Sequence, residues 1–475
     1  MEYERVQTSD NTSTDLRVLL LDLGQELRGG QRQVFYLIRA LEAMRQRGAP
    51  VEAVVACLGS GPLAALLREH DLPFVALPGR SIVNPALLLS LRRAIRSRSI
   101  NILHTQDAKA ATVGSWFKDW NPHLKLIHSR RVSYPLRPGG RSKKYLTADA
   151  LIGVSQAISQ GMIDSGMPAG KVFTIHSGVD PERYTPKIQR GDRRFVFGAV
   201  GALTEQKGFG VLVQAMSVLA EMDDILPWEV RIVGEGPLFG ALLKQAQTLG
   251  IAERLSLFGK QEASLFLPQF DALLVPSVDG EGSNAVIKEG WAVGVPVVCS
   301  ALPSNEELVC DKENGLVVPK GNPLALSAAM LRLLSEPALR ERLTTSGRRT
   351  LQFFTDKHMA ARTYLVYQAT SRGFSEAYAR QFNNELTLLT LPEHMADAPS
   401  DIPATNGAPL AVISVSGNAT VDDVELPLFR NATRDAASES ATVPHESSTP
   451  PDGEARPECA AEATSQDLTA GPLHR

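Results

Sequence analysis

Residues 271–298 read DALLVPSVDGEGSNAVIKEGWAVGVPVV. An apolar run at 272–275 is stopped by Pro276, a loop containing two glycines follows, apolar residues then recur at helical spacing, and a second apolar run covers 296–299. Strand, loop, helix and strand in so short a span is the βαβ pattern of a parallel sheet. Ser283 or Asn284 can cap the helix that carries Glu289, so the helix N-terminus faces the loop. Backbone N–H groups at Gly282, Ser283 and Asn284, with the helix dipole behind them, suit a diphosphate or a sugar hydroxyl. Glu281 lies in the loop and Glu289 about a turn and a half into the helix. The two carboxylates therefore need not meet as an acid and base pair, and each can instead accept hydrogen bonds from a different part of a long ligand.

The same alternation extends in both directions. Further strands are predicted at 195–201, 229–233, 255–258 and 316–318, and an earlier set at 17–23, 51–57, 73–77, 101–104, 125–128 and 150–154, with helical segments such as 31–47 and 85–98 between them. A polar, proline-containing stretch at 181–194 separates the two sets. The prediction is an α/β protein of two Rossmann-like domains facing across a cleft. Residues 16–180 form the first domain and 195–370 the second with its terminal helices, while 371–384 complete the folded body. In open sheets of this kind ligands sit beyond the carboxyl ends of strands, so the residues just after each run are the candidates for function.

Composition bounds the rest. Residues 385–475 hold ten prolines and a single aromatic, Phe429, too little apolar surface to offset ordering entropy, so the tail is predicted to be disordered, as are residues 1–15. The tail carries 15 acidic residues against 4 arginines, a charge of −11 that leaves residues 1–384 at +8 under the whole-chain −3. Four scattered cysteines without metal-ligand spacing point to a reducing, cytoplasmic setting. No apolar run approaches the roughly 20 residues that span a bilayer, so membrane contact is expected to be peripheral, at the inner face.

With its two carboxylates in this setting, the 281–289 element resembles the Glu-x7-Glu signature of the GT-B glycosyltransferases of family 4, and other segments match in order. VGALTEQKG at 200–208 is similar to the family's strand and turn ending in Lys-Gly, and IVGEGP at 232–237 to its next strand and turn. IHSGVD at 175–180 is similar to its interdomain strand, and NGLVVP at 314–319 to the segment before its final helices. The resemblance covers roughly 17–370. It implies a retaining transfer of a sugar from a nucleotide-sugar donor, with no metal or other cofactor. By it Lys207 would neutralise the donor diphosphate, Glu289 would bind the ribose hydroxyls and Glu281 the transferred sugar. A lysine is a compact charge suited to phosphate, and a carboxylate accepts two hydroxyl donors.

The first domain holds the departures. Gly29-Gly30 opens a helix and permits close backbone approach to the donor, but Arg32 stands where the family often has an acid. His104 is followed by Gln106 where relatives show a second histidine; an amide cannot act as a base, though it can hydrogen-bond the donor sugar. Ala202 replaces a frequent arginine beside the phosphates. Basic residues gather at Arg92, Arg93, Arg96 and Arg98, and again at Arg130, Arg131, Arg137, Arg141, Lys143 and Lys144. Without aromatic interleaving they argue against nucleic acid and for an anionic glycan or lipid-linked acceptor, of the kind found in lipopolysaccharide, with Arg130 and Arg131 at the cleft mouth. Two other readings share the architecture: a sugar-nucleotide epimerase, which would consume donor without acceptor, and a non-catalytic nucleotide-sugar binder.

Truncation after residue 384 is expected to leave the melting temperature within about 2 °C of the full chain, because the tail has too few apolar residues to dock. Differential scanning calorimetry of the two proteins tests this, and a large fall in the truncated form would show a docked tail.

Overall fold

The computed structural model describes residues 15–134, 136, 140–188, 194–280 and 282–390; Glu281, the first fourteen residues and the expected tail from 391 on lie outside them. In the first half β1 (Leu16–Leu21), β2 (Val51–Leu58), β3 (Phe74–Leu77), β4 (Ile102–Thr105), β5 (Lys125–Arg130), β6 (Ala150–Gly153) and β7 (Val172–Thr174) form a parallel sheet in the order β3-β2-β1-β4-β5-β6-β7. Helices α1 (Gly29–Gln46), α2 (Pro62–Glu69), α3 (Pro85–Ser97), α4 (Ala108–Trp120), α5 (Gly140–Leu146) and α6 (Gln156–Asp164) connect them. The inner strands β1, β4, β5 and β6 are short runs buried on both faces, as a sheet covered by helices on both sides requires, while the edge strand β3 is largely half-buried or exposed.

In the second half β8 (Phe195–Val200), β9 (Trp228–Val233), β10 (Leu255–Leu257), β11 (Ala272–Val275), β12 (Val297–Ser300) and β13 (Leu316–Val318) repeat the plan in the order β10-β9-β8-β11-β12-β13. Its helices are α7 (Phe209–Ala220), α8 (Phe239–Thr248), α9 (Ala263–Phe266), α10 (Ala285–Val293), α11 (Pro303–Glu306), α12 (Pro323–Ser335) and α13 (Pro337–Leu351). The expected pair of Rossmann-like sheets is present. Among the described residues no helix is long and apolar enough to cross a membrane.

Two features differ from the sequence reading. Strand β7 was not anticipated, since its three residues are too few to show a period. The last helices, α14 (Asp356–Arg372) and α15 (Glu376–Thr390), do not stay with the second sheet as expected but return to the first. Met359, Ala360, Tyr364 and Tyr367 pack with Val18, Leu20, Ile38 and Phe173 in one core. The Asn383 amide accepts from Thr174 N–H at 2.7 Å and donates to Val172 C=O at 2.9 Å, occupying the open edge of β7. Helix α15 runs to Thr390, past the boundary expected at 384, because its Ala379 and Phe382 are buried against the first domain.

The chain thus crosses between the sheets twice, and the crossings are joined. Val179 N–H donates to Phe354 C=O at 2.9 Å and Asp356 N–H to Val179 C=O at 2.8 Å. From α1, Gln33 exchanges two 2.8 Å hydrogen bonds with the Gly178 backbone, and Arg39 lies 2.7 Å from Asp180 and 2.5 Å from Asp356. Gly178 permits the approach: a Cβ there would stand 2.7 Å from Asp356 Cα and from Thr355 O. Gly178→Ala must part the two crossings and is expected to cost about 1–3 kcal/mol of stability, as overpacking does. Urea denaturation measures it, and a cost below about 0.5 kcal/mol, the range of surface substitutions, would show that the crossings separate freely.

Candidate functional site

Strand order reverses between β1 and β4 in one sheet and between β8 and β11 in the other. At such switch points the loops diverge and leave a crevice beyond the strand ends. Four loops meet there: 22–28 and 106–107 from the first domain, 201–208 and 276–284 from the second.

On the first wall, Asp22 follows β1 directly and is buried. It accepts from Gly24 N–H at 2.9 Å and from the Gln31 amide at 3.2 Å. Burial, with the Asp107 carboxylate nearby, pushes its pKa up to about 6. Asp107 caps α4 through Lys109 and Ala110 N–H and takes Leu23 N–H at 2.6 Å, which fixes the loop after β1. Arg131 enters from the end of β5. One of its terminal nitrogens donates to Gln106 Oε1 at 2.9 Å and its Cδ lies 3.6 Å from where a Gly30 Cβ would be. Arg131 Nε and Gln106 Nε2 are buried without a partner. Burial lowers the guanidinium to about 10, with Asp22 opposing the shift.

On the second wall the turn 205–208 is laid along the loop after β11: Val278 N–H donates to Gln206 C=O at 2.9 Å. Gly208 has φ +67°, and a Cβ there would lie 2.0 Å from Pro276 C=O, so only glycine permits this contact. Lys207 is thereby held beside the loop, its stem over Gly201. Helix α10 begins at Ala285 with no side-chain cap, leaving its first N–H groups directed at the crevice. Glu289 is half-buried, and burial raises its pKa; the Tyr184 hydroxyl donates to it, and Arg32 and Arg183 stand near.

The walls touch. A Cβ on Gly282 would meet Arg131 C=O at 2.5 Å. Arg32 on α1 reaches Glu262 of the second domain at 3.4 Å, and Arg183 reaches the same carboxylate at 2.5 Å. Glu307, beyond α11, accepts from the Gln156 and Ala157 N–H groups at 2.6 and 2.7 Å and pairs with His176 Nε2 at 2.9 Å. A carboxylate from the second domain therefore occupies the positive end of first-domain helix α6.

The structure sorts the residues expected from sequence. Gly29, Gly30, Gln106, Arg131, Lys207, Gly282, Ser283, Asn284 and Glu289 gather at the crevice, and Glu281 lies outside the described residues. Neither proposed cap acts as one: the Asn284 amide donates to Asn305 at 3.3 Å and the Ser283 hydroxyl accepts from Lys288 at 2.8 Å. His104 was expected to take part in catalysis, yet it faces the core. Its two ring nitrogens bond Tyr367 at 2.7 Å and Ser129 at 2.8 Å, and burial holds its pKa well below the usual range. Arg130 also turns away, donating to Tyr134 C=O and lying over the Tyr134 and Tyr145 rings at 5.3 and 5.8 Å. Lys144 ties α5 to α4 through Ala108 C=O. Arg92, Arg93, Arg96 and Arg98 are exposed on and just after α3, whereas Arg137 and the Arg141 side chain lie outside the described residues. Asp22, Tyr184, Lys288 and Glu307 were missed. Only Asp22 carried a signal, its place at the end of a predicted strand.

Known proteins match this arrangement in two segments. A family model described as Glycosyltransferase Family 4 matches residues 27–183, and one described as Glycosyl transferases group 1 matches 194–336. The amylovoran biosynthesis glycosyltransferase AmsK of Erwinia amylovora is 28% identical over 246 residues, 50% of this chain and 58% of that one. The lipopolysaccharide core biosynthesis glycosyltransferase LpsD of Rhizobium meliloti is 32% identical over 176 residues, 36% of this chain and 49% of that one. The chain thus spans 58% and 49% of the length of these two relatives. The crystal structure of Anabaena HepE in complex with UDP and glucose superposes with a TM-score of 0.62 at 19% identity, covering 74% of this chain and all of that one, which establishes the shared GT-B fold.

Asp22 supplies a pH-dependent test of the first wall. Its folded pKa of about 6 exceeds the ordinary 3.8, so between those values the folded chain binds more protons than the unfolded one. Its contribution to stability is therefore full below 3.8 and lost as pH rises through 6, a change of about 3 kcal/mol. Asp22→Asn should remove that change, so the variant gains on the wild type as pH rises. A stability difference that stays flat from about pH 4 to 7 would place Asp22 in a solvated setting.

Proposed function

From the chain's place among the GT-B glycosyltransferases, given by two family models in series and by the fold, we propose that it moves a sugar from a nucleoside-diphosphate donor to a glycan or lipid-linked acceptor. The observation that carries this is the union of two loops. The 205–208 turn, which bears Lys207, is bonded along the loop after β11, and that loop leads into the uncapped N-terminus of α10, which bears Glu289. A cation, a set of free N–H groups and a carboxylate in sequence suit a diphosphate followed by ribose hydroxyls.

In this proposal Glu289 accepts the ribose hydroxyls while Tyr184 orients its carboxylate. Lys207 and the N–H groups of residues 282–284 face the diphosphate, Gly29 and Gly30 admit its close approach, and Glu281 takes the hydroxyls of the transferred sugar. As the bond from the anomeric carbon to phosphate breaks, the nucleoside diphosphate departs with the electron pair. The positive charge and dipoles fixed around it stabilise that developing charge without a metal ion. The acceptor oxygen forms the new bond to the anomeric carbon, and its proton passes to an oxygen of the departing diphosphate. The transfer retains the anomeric configuration, a point taken from the family and not from the geometry.

The acceptor is proposed to be an anionic glycan or its lipid-linked form at the cytoplasmic face of the membrane, supported by the two relatives named for cell-envelope polysaccharides and by the basic body. Of the basic residues first considered for it, Arg131 with Gln106 stands at the crevice floor. Arg130 is withdrawn from this role.

Glu289→Gln keeps an acceptor for Tyr184 and removes the charge. It should weaken binding of uridine- or guanosine-diphosphate sugars by about 10-fold or more, the loss of one charged hydrogen bond of 1.5–3 kcal/mol. Isothermal titration of wild type and variant tests it. Equal affinity would remove the ribose assignment, and consumption of donor by the wild type with no acceptor present would favour an epimerase.

A further inference from the structure

Lys288 has no part in the scheme above, and it lies in an unusual place. It is fully buried (0% exposed), next to Glu289 in α10 and between Ile287 and Trp291 of the core. Its ammonium donates to Ser177 C=O at 2.6 Å and to Ser283 Oγ at 2.8 Å, and it stands 5.2 Å from the centre of the Phe354 ring. Burying a cation against two neutral oxygens and one ring face, with the Glu307 and Glu289 carboxylates near enough to favour its charge, still carries a desolvation cost that a leucine or methionine of similar volume would avoid. Burial brings its pKa down to about 7.

The three partners belong to three different segments. Ser177 lies in the first crossing between the domains, Phe354 ends the approach to the second, and Ser283 sits in the loop that opens α10. The contact continues beyond them. The Ser177 hydroxyl is 3.5 Å from an Arg131 guanidinium nitrogen, and Arg131 in turn bonds Gln106 at 2.9 Å. One ammonium therefore links the 282–284 loop to both crossings and, through Ser177, to the floor of the first domain. A displacement of Ser283 changes the bonding of the same ammonium that holds Ser177 C=O.

We propose that Lys288 is a positioning residue which makes occupancy of the 282–284 loop and the setting of the interdomain crossing depend on each other. It acts through Ser283 and Ser177 and touches no substrate. The inference rests on the proposed function only in taking a nucleoside diphosphate to engage the loop. Coupling of this kind is reciprocal: what orders the loop orders the crossing, and the reverse.

Hydrogen exchange on the full chain tests it, with wild type, Lys288→Met and Ser283→Ala compared with and without saturating uridine or guanosine diphosphate. In wild type the nucleotide is expected to slow exchange both at 282–287 and at 176–180. In Lys288→Met it should still bind and protect 282–287, while protection at 176–180 falls by about five-fold or more, the lower range of measured coupling. Ser283→Ala removes only the hydroxyl that Lys288 bonds and keeps the backbone N–H placed at the diphosphate; with its nucleotide affinity measured separately and the nucleotide saturating, it should lose the same protection at 176–180, and the double variant should add nothing to either. If Lys288→Met does not fold, Ser283→Ala decides the matter alone. Protection that reaches 176–180 undiminished in the variants would overturn the coupling, leaving the donor site intact. A wild type that binds neither nucleotide would overturn the functional reading and this inference with it.

Discussion

The two passages of the chain between its sheets lie side by side, and the rest of the molecule depends on that. Val179 is hydrogen-bonded on one side to Phe354 and on the other to Asp356, with Gly178 pressed against the second strand. Helix α1 fastens the pair by Gln33 and Arg39. Two linked crossings resist the twist and slide that a single linker allows. They fix the distance between loops that come from residues more than 170 positions apart, such as Gly30 and Gly282, and so set the width of the crevice. The return of α14 and α15 follows from the same constraint. Once the chain has crossed back at Thr355, its remaining apolar residues find their cover on the first domain.

Buried charge is concentrated around this crossing and not spread through the cores. Asp22, Arg131, His176 and Lys288 are all shifted from their ordinary pKa values, with desolvation the largest cause for each. Asp22 and Lys288 are held by backbone groups together with a side-chain amide or hydroxyl, Arg131 by the Gln106 amide oxygen and His176 by a carboxylate. Such groups weaken the fold unless fully bonded, and two of them retain an unpartnered nitrogen, Arg131 Nε and His176 Nδ1. Perturbed ionisable groups with spare donors in a crevice are the mark of a site arranged for a ligand more than for stability. His104 shows the opposite case. It is as buried as any of these, yet both nitrogens are satisfied, and it belongs to the core.

The sequence was most informative where chemistry depends on neighbours along the chain. The apolar runs and their helical intervals marked twelve of the strands because period and burial are local properties. The 271–298 stretch also showed the loop and helix that carry Glu289. The Lys207-Gly208 turn was legible only through the family resemblance, and the structure supplies the physical reason for its glycine, a left-handed φ of +67°. Capping was misjudged for an instructive reason. Ser283 and Asn284 have the right side chains at the right place, but stronger partners, Lys288 and Asn305, lie on the same helix and beyond the next strand.

What the sequence by itself determined is therefore the two α/β domains, the order of their strands along the chain and the loops that bear the candidate donor residues. Only the tertiary structure decided which basic residues reach the crevice, since Arg130 and Arg131 are adjacent in sequence yet one bonds Tyr134 C=O and the other Gln106. It alone paired Glu307 with a helix of the other domain and placed Lys288 between the two crossings. Glu307 lies 151 residues from Gln156 and Lys288 lies 111 from Ser177, and the polarity of such side chains says only that they need partners and not which ones they will meet.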